Sequence, residues 1–598
     1  MDRITVIYRK YQNFIEKILF PVILILYPLL KIRQGIDVSD TTYSLSNFQY
    51  FPSMDGTWIV ATYLANVVGN LMMRLPFGGT LMGMYFYTAL IPSATAAGVY
   101  VVLCKRIPAA LVFIGEWIAL GLCWCPSTIL YNYLTYLLMA AGVLLLYNGI
   151  VKEKKKCYIA AGICLGLNVA VRMPNVVQMA FIIALWYATA VYDRALQKTI
   201  RDTLWCVAGY AAGFGVPFVT ICIRYGVGAY PAMVRTMFAM TEKAADYKPT
   251  SMITGMFGDY ITGLYWMIFA VVCAAGGCVL FAIQRRLFAE KRGAVVLCRV
   301  IYVAVFIVLF RFYWGKGMFN FRYYEYGNGS IYYPAVLLLL TAVILALNCL
   351  FAKSIPKEQK ILAALVLIQI FVTPLGSNNL LYPIINNLFI VVPFLLWTAY
   401  NLFVRDRNSK KAALSVWGIP FMMLVVFIIV QSTGSHMKFV FQDGIYGEAR
   451  DATVSVPAKA AGVYTNQDNA AWLEELAEYT DDAGLTGHDA LLYGDIPGLG
   501  YLLDMPSALS TFWADLDSYR MVEFERDMEQ IMTPPVIIVA SPIAAYLGED
   551  ADGMNWFGVD RKVLDADEKL QIIAEYMREH SYREVFGNGR YVVYVTEQ

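Results

Sequence analysis

Long apolar runs, each closed by a short polar or basic interruption, recur from residue 18 to residue 431 and then stop. The first is Ile18 to Leu30, and the next at full length is Leu81 to Leu103. Further runs fall near 109–125, 129–150, 158–171, 176–192, 203–223, 260–282, 294–313, 332–351, 361–374, 384–404 and 412–431. At the length a bilayer demands, the pattern predicts about thirteen membrane helices. Trp58 to Arg74 is amphipathic rather than uniformly apolar and ends at Pro76, Gly78 and Gly79, which predicts an interfacial helix. From residue 432 the periodicities become those of a water-soluble α/β unit. Helices are expected at Asn466 to Tyr479, Ser518 to Met532 and Asp567 to His580, with short strands at Ala490 to Tyr493, Val536 to Ala540 and Tyr591 to Val595. The division predicted is therefore a multi-span region, 1–431, followed by a small α/β domain, 432–598.

Charge gives this pattern a direction. Arg3, Arg9, Lys10 and Lys17 precede the first run, which lacks a small-residue cleavage site, so a retained first helix with a cytoplasmic N-terminus is expected. The clusters Lys105-Arg106, Lys152 to Lys156, Arg194 to Arg201, Arg285 to Arg292, Lys353 to Lys360 and Arg405 to Lys411 all fall in even-numbered connections, as that orientation requires. Loop 34–80 then lies outside, and an odd number of spans carries the tail outside as well. The chain is 59% hydrophobic, which excludes an ordinary soluble protein, and no basic stripe suggests nucleic acid. A net charge of +2 conceals a split: residues 431–598 hold 29 acids and 11 bases, the rest 16 acids and 36 bases. All 11 cysteines precede the tail, in or beside apolar runs, where they read as small hydrophobes. Cys123 and Cys125 lack companions for a metal set, and His436, His488 and His580 are scattered, so no metal site or cofactor is assigned, with a divalent metal left open.

The candidate chemistry sits on the outer connections. Gln34 to Gly56 carries Asp37, Asp40 and Asp55. Asp37 and Asp40 share a face if the loop turns helical, and either could cap such a helix. The stretches LGLNVAVRMPN (165–175), TPLGSNN (373–379) and YGDIPGLGYLLDMPSA (493–508) bring Gly, Asn and Pro to outer boundaries, where backbone can line a polar cavity. Arg172 ends one span, Gly162 and Gly166 read as helix packing, and Glu116 is an acid within a span. Residues 319–333, FNFRYYEYGNGSIYY, combine Arg322 and Glu325 with tyrosines.

An acidic first outer loop, an amphipathic helix after it, an arginine at a later span end and an outer C-terminal domain together resemble the GT-C class of membrane glycosyltransferases. Protein O-mannosyltransferases and the lipid A aminoarabinose transferase belong to that class. The resemblance implies a sugar transferred with inversion from a polyprenyl-phosphate donor to an acceptor whose nature the sequence leaves open. It also implies membrane lipids as surroundings and an aspartate base in loop 34–80. Asp40 is the base it suggests, with Asp37 the alternative, and Arg172, with Arg322, Lys243 and Arg235, the contact for the donor phosphate. Asn175, Tyr43, Asn47, Ser377, Asn378, Asn379 and Glu116 are expected in the substrate cavity. A phosphate leaving group needs no protonation, so one carboxylate suffices, where a glycoside hydrolase typically needs two. The sequence departs from the class in lacking an acidic pair in D-x-x-Y-S-L-S-N-F and a second acidic motif in a later loop. The competing expectation is a lipid-linked oligosaccharide or lipid transporter, or a non-catalytic assembly protein; it calls for paired repeats, and none is evident.

Overall fold

The computed structural model describes residues 2–51, 53–54, 56–243, 249–288, 291–321, 329–403, 414–438, 440–443, 449–547 and 561–597. Among the described residues, helices fall within each of the apolar runs, without covering all of 109–125 or 384–404. Among the described residues, nine are long and apolar enough to cross a membrane, from Tyr8–Lys31 to Pro420–Lys438. The other four runs form shorter helices: Ala109–Leu122, Lys155–Val171, Lys357–Val372 and Val391–Phe403. The chain is thus a multi-pass α-helical membrane protein with a small sheet-containing region at its C-terminal end.

Helix packing is tightest where the sequence offers small residues. A Cβ on Gly162 would lie 2.0 Å from the Cys206 carbonyl oxygen, and one on Gly166 would lie 2.1 Å from that of Tyr210. Gly209 and Gly213 answer from the facing helix Leu196–Tyr225, where added Cβ atoms would meet the Ile159 and Ile163 carbonyls at 2.1 and 2.3 Å. Glycines four apart on both partners let the two backbones touch, and packing at that distance replaces the hydrophobic drive that lipid cannot supply.

Two faces of the bundle differ. On one, Arg106 pairs with Glu358 at 2.9 Å, and Glu153 receives Lys198 at 2.6 Å and Arg194 at 3.3 Å, which brings four of the basic connections to a single side. On the other face the first loop meets the C-terminal region. There Gly35 N–H donates to the Tyr464 carbonyl at 2.8 Å, Tyr464 N–H to the Arg33 carbonyl at 2.7 Å, and Ile36 N–H to Asp443 Oδ1 at 2.9 Å. Asp37 bridges Asp443 in antiparallel register, so residues 34–37 lie as an extended strip between two distant segments of the tail.

The tail folds as expected in its core. Strands β1 (Ala452–Thr453) and β2 (Tyr464–Thr465) form a small antiparallel pair. Strands β3 (Ala490–Tyr493), β4 (Val536–Ala540), β5 (Tyr582–Gly587) and β6 (Tyr591–Thr596) form a sheet of order β3-β4-β6-β5, with β3 and β4 parallel. Asn466 and Asp567 cap the helices Gln467–Asp482 and Glu568–Glu579 by accepting from backbone N–H groups. Differences lie at the margins. The helix expected over 518–532 is confined to Met521–Glu529, and the last membrane helix runs on to Lys438, past the boundary read at 431. Strand β5 was not expected: its exposed Arg583 and Glu584 hide the alternation that marks a buried strand. Trp58 to Arg74 is two helices, Gly56–Ala61 and Tyr63–Met73, because Thr62 departs from helical geometry at φ −127°, ψ 37°.

Candidate functional site

The first loop turns helical at Asp40–Tyr50, and its two acids then part company. Asp37, upstream of the helix, is buried, and its Oδ1 accepts from Ser39 N–H at 2.9 Å and the Ser39 hydroxyl at 2.7 Å. Its Oδ2 accepts from Thr41 N–H at 2.8 Å, and its carbonyl from the Thr42 hydroxyl at 2.7 Å. Asp37 therefore satisfies N–H groups that the start of a helix leaves unpaired. Burial raises its carboxyl above the usual carboxylate range, while the hydrogen bonds from Ser39 and Thr41 oppose that shift.

Asp40, the first residue of the helix, is partly buried, and its carboxylate receives no hydrogen bond or ion pair from a described residue. A helix N-terminus ordinarily favours an anion. Here burial, and next the charge of Asp37, outweigh that preference and push the Asp40 carboxyl up to about 7. Such a group is divided between base and acid near neutral pH.

The tail completes this site. Strand β3 ends in the turn Gly494-Asp495, where Asp495 takes a positive φ of 59°. The N–H groups of both residues donate to Asp515 Oδ2, at 3.3 and 2.7 Å. Asp495 reaches solvent yet is flanked by protein; burial, then Asp515, Asp37 and Asp40, push its carboxyl up to about 7. The following turn docks directly on the catalytic candidate's helix. Gly498 N–H donates to the Val38 carbonyl at 2.8 Å, and a Cβ there would lie 1.6 Å from Thr42 Oγ1, so only glycine fits. Tyr501 N–H donates to the Ser46 hydroxyl at 3.1 Å. Further along, the Tyr43 hydroxyl lies 3.1 Å from Thr511 Oγ1, and its ring meets Trp513 edge-on at 5.2 Å. Asn47, one turn beyond Tyr43, has a buried Oδ1 with no hydrogen bond from a described residue. The face Asp40, Tyr43, Asn47 is thus presented toward the tail's Thr511–Asp515 stretch.

The membrane region meets the same helix through residues 125–130. The Thr128 hydroxyl donates to the Thr41 carbonyl at 2.5 Å, and three residues on, the ring of Tyr131 lies 5.9 Å from the Arg172 guanidinium. Arg172 Nη2 donates to the Gly376 carbonyl at 2.8 Å, so Arg172 and the 373–379 stretch come together. Gly376 has φ +80°, and a Cβ there would lie 2.3 Å from Pro174. Ser377 is buried and its hydroxyl accepts from Asn379 N–H at 3.2 Å; Asn378 is partly buried and Asn379 exposed.

Other expected residues stand apart. Asn175 is committed to helix packing: its amide donates to Thr135 Oγ1 at 2.7 Å and to the Asn168 carbonyl at 2.9 Å. Glu116 is fully buried among helices, and neither carboxylate oxygen has a hydrogen bond from a described residue. Arg235 is exposed on the helix Ala229–Lys243, which packs through Met233 against Phe51, Ile59 and Tyr63. Lys243 ends that helix, and its side chain lies outside the described residues, as do Arg322, Glu325 and Asp55. Asp495, Asp515, Thr511 and Trp513 were not singled out in sequence; the one available signal was the unusual YGDIPG turn after a short buried strand. Among the described residues no group of three or more His, Cys, Asp or Glu side chains is arranged to hold a metal ion.

Neither a protein-family model nor a curated protein sequence matches this chain. Among solved structures it is similar to the Archaeoglobus fulgidus oligosaccharyltransferase tethered with an acceptor peptide, at 10% identity and a TM-score of 0.46 over 99% of this chain and 74% of that one. The same archaeal enzyme, AglB, in complex with an inhibitory peptide and a dolichol-phosphate matches at 10% identity and 0.45 over 90% and 71%. ArnT from Cupriavidus metallidurans in the apo state matches at 13% identity and 0.39 over 96% of this chain and 97% of that one.

Proposed function

We propose that this protein is a membrane glycosyltransferase that moves a sugar from a polyprenyl-phosphate donor to an acceptor hydroxyl on the extracytoplasmic face, with inversion. The observation that carries the reading is Asp40, a bare carboxyl at a helix start, poised at about 7 and flanked by a docked tail. The acceptor oxygen attacks the anomeric carbon as the bond from that carbon to the phosphate oxygen breaks. The acceptor proton passes to Asp40, and the lipid phosphate leaves with the bonding pair. A general base of this kind contributes roughly 10²–10⁴-fold.

Arg172 is the proposed contact for the departing phosphate. Of its guanidinium nitrogens, only Nη2 is hydrogen-bonded to a described residue, at the Gly376 carbonyl, which aims the group. Tyr43, Asn47 and Trp513 form the wall against which an acceptor or sugar ring would lie, and the polar 377–379 stretch borders Arg172. Asp37 holds the helix rather than the proton.

The test is transfer of radiolabelled sugar from a panel of polyprenyl-phosphate sugars by purified protein in lipid, comparing wild type with Asp40→Asn and Asp37→Asn. Loss of turnover in Asp40→Asn with donor binding intact supports the assignment. Wild-type protein that turns over no donor, yet moves lipid-linked sugar across the bilayer, overturns it in favour of transport.

A further inference from the structure

A cavity lies between the end of the first membrane helix, Leu81–Leu103 and the end of Ala109–Leu122, and its polar lining is Lys31, Tyr85, Cys123, Ser127, Tyr133 and His436. Two of these hydroxyls are already spent: Tyr85 donates to the Gly35 carbonyl at 2.8 Å and Tyr133 to the Cys125 carbonyl at 2.9 Å. The Lys31 ammonium and the Ser127 hydroxyl make no hydrogen bond or ion pair with a described residue.

His436 is the informative member. It is 5% exposed, and its Nε2 lies 3.1 Å from the Tyr27 carbonyl oxygen. A carbonyl only accepts, so Nε2 carries the hydrogen and Nδ1 is left as a lone pair. That Nδ1 is buried and finds no donor among the described residues. The ring stacks on Tyr27 at 4.2 Å and Tyr27 on Trp117 at 4.1 Å, which holds its plane, and a flip within that plane would forfeit the bond to the Tyr27 carbonyl. A buried acceptor without a donor costs free energy unless something supplies one. The cavity therefore offers a cation, a hydroxyl donor and one fixed acceptor, which together describe an anion that also carries a proton.

We propose that this cavity binds a singly protonated phosphate monoester, the headgroup of a lipid phosphate. Lys31 and Ser127 donate to its oxygens, and its P–OH donates to His436 Nδ1. A phosphate monoester has a second ionisation near about 6, so the protonated form is available close to neutrality. A diester has no P–OH and leaves His436 unsatisfied. The outward surface of the same first helix exposes Leu26 and Leu30, at 52% and 58%, an apolar track for the lipid chain. This inference rests on the transferase reading, in which the sugar-loaded donor is a diester and the released carrier a monoester. The cavity then holds the spent carrier rather than the donor.

The experiment is equilibrium binding of radiolabelled undecaprenyl phosphate to the full-length protein in phosphatidylcholine nanodiscs, with inorganic phosphate and a polyprenyl-phosphate sugar as competitors. The lipid monoester is expected to bind at least about tenfold more tightly than either competitor. Lys31→Gln should weaken it by about tenfold or more, Lys31→Arg should stay within about threefold, and His436→Leu should abolish the preference for monoester over diester. Melting curves of the variants report folding, and Lys31→Arg separates lost charge from lost structure. Unchanged affinity in Lys31→Gln, equal competition by inorganic phosphate, or equal binding of the diester each overturns the proposal. Wild-type protein that binds the lipid monoester as expected yet transfers sugar from no donor counts against the transferase reading alone.

Discussion

Residues 34–39 and residues 40–47 are consecutive stretches of one loop, and they are built on opposite principles. In the first, the polar groups are spoken for: Asp37 accepts three hydrogen bonds at its carboxylate, Gly35 and Ile36 bond to the tail, and the Ser39 hydroxyl faces both Asp37 and Gln442. In the second, neither the Asp40 carboxylate nor the buried Asn47 Oδ1 receives a hydrogen bond from a described residue. Buried polar groups that are satisfied hold structure, and those left open are where a ligand can find partners. Charge alone does not separate Asp37 from Asp40; hydrogen bonding does.

The largest effect that would sharpen this contrast is at Asp40. Asp40→Asn should lower kcat by roughly 10²–10⁴-fold while leaving the fold intact. Wild-type kcat/KM should rise with pH and level off above about 7, as Asp40 loses its proton. The stability sign runs the other way. A carboxyl whose folded-state pKa is raised binds its proton more tightly folded than unfolded, so its contribution weakens as pH climbs from about 4 to about 7. Asp40→Asn should therefore melt no lower than wild type at pH 8, and a clear fall there would break the comparison.

Next in size is the seam between loop and tail. Gly498→Val places a side chain where Thr42 Oγ1 lies 1.6 Å from a Cβ position, so the turn must withdraw from the helix. Hydrogen exchange at Val38–Ser46 should quicken and activity should fall with it; unaltered exchange would show that docking does not depend on this contact.

Asp37→Ala should act on stability first. It strands the Ser39 and Thr41 N–H groups, at a cost of about 1–3 kcal/mol, visible as a lower melting temperature in detergent or nanodiscs. Loss of activity in Asp37→Asn without any loss of stability would reverse the roles assigned here. The smallest effect is at Asp495, whose charge acts on the same cluster. Asp495→Asn should move the activity midpoint downward in pH, because removing a neighbouring anion eases ionisation of Asp40.

Much of the scaffold was legible because it depends on local pattern. The apolar runs, the caps at Asn466 and Asp567 and the buried strands β3 and β4 all announce themselves within a few residues. Arg172 and the 373–379 stretch were read as neighbours, and the Gly376 carbonyl joins them. Gly162 and Gly166, read as helix packing, form the seam with Gly209 and Gly213. What stayed hidden needed partners from far along the chain. Asp37 and Asp40 look alike until the helix start is fixed. Asp495 and Trp513 reach the site only through the fold, and Asn175 looked free until Thr135 and Asn168 claimed it. Thr62 breaks an amphipathic pattern that nothing in its local composition interrupts.

The strip at residues 34–37 also sets a clock. Its hydrogen-bonding partner for Ile36 lies 407 residues later, at Asp443, and the turn that meets Val38 comes later still, at Gly498. At a synthesis rate of about 5–20 residues per second, the first loop waits roughly 20–80 s for the segments that hold it. Throughout that interval Asp40 lacks the walls that bury it and raise its pKa. On the proposed reading a nascent chain is therefore idle, and transfer becomes available only after the last quarter of the protein has arrived and closed over the first loop.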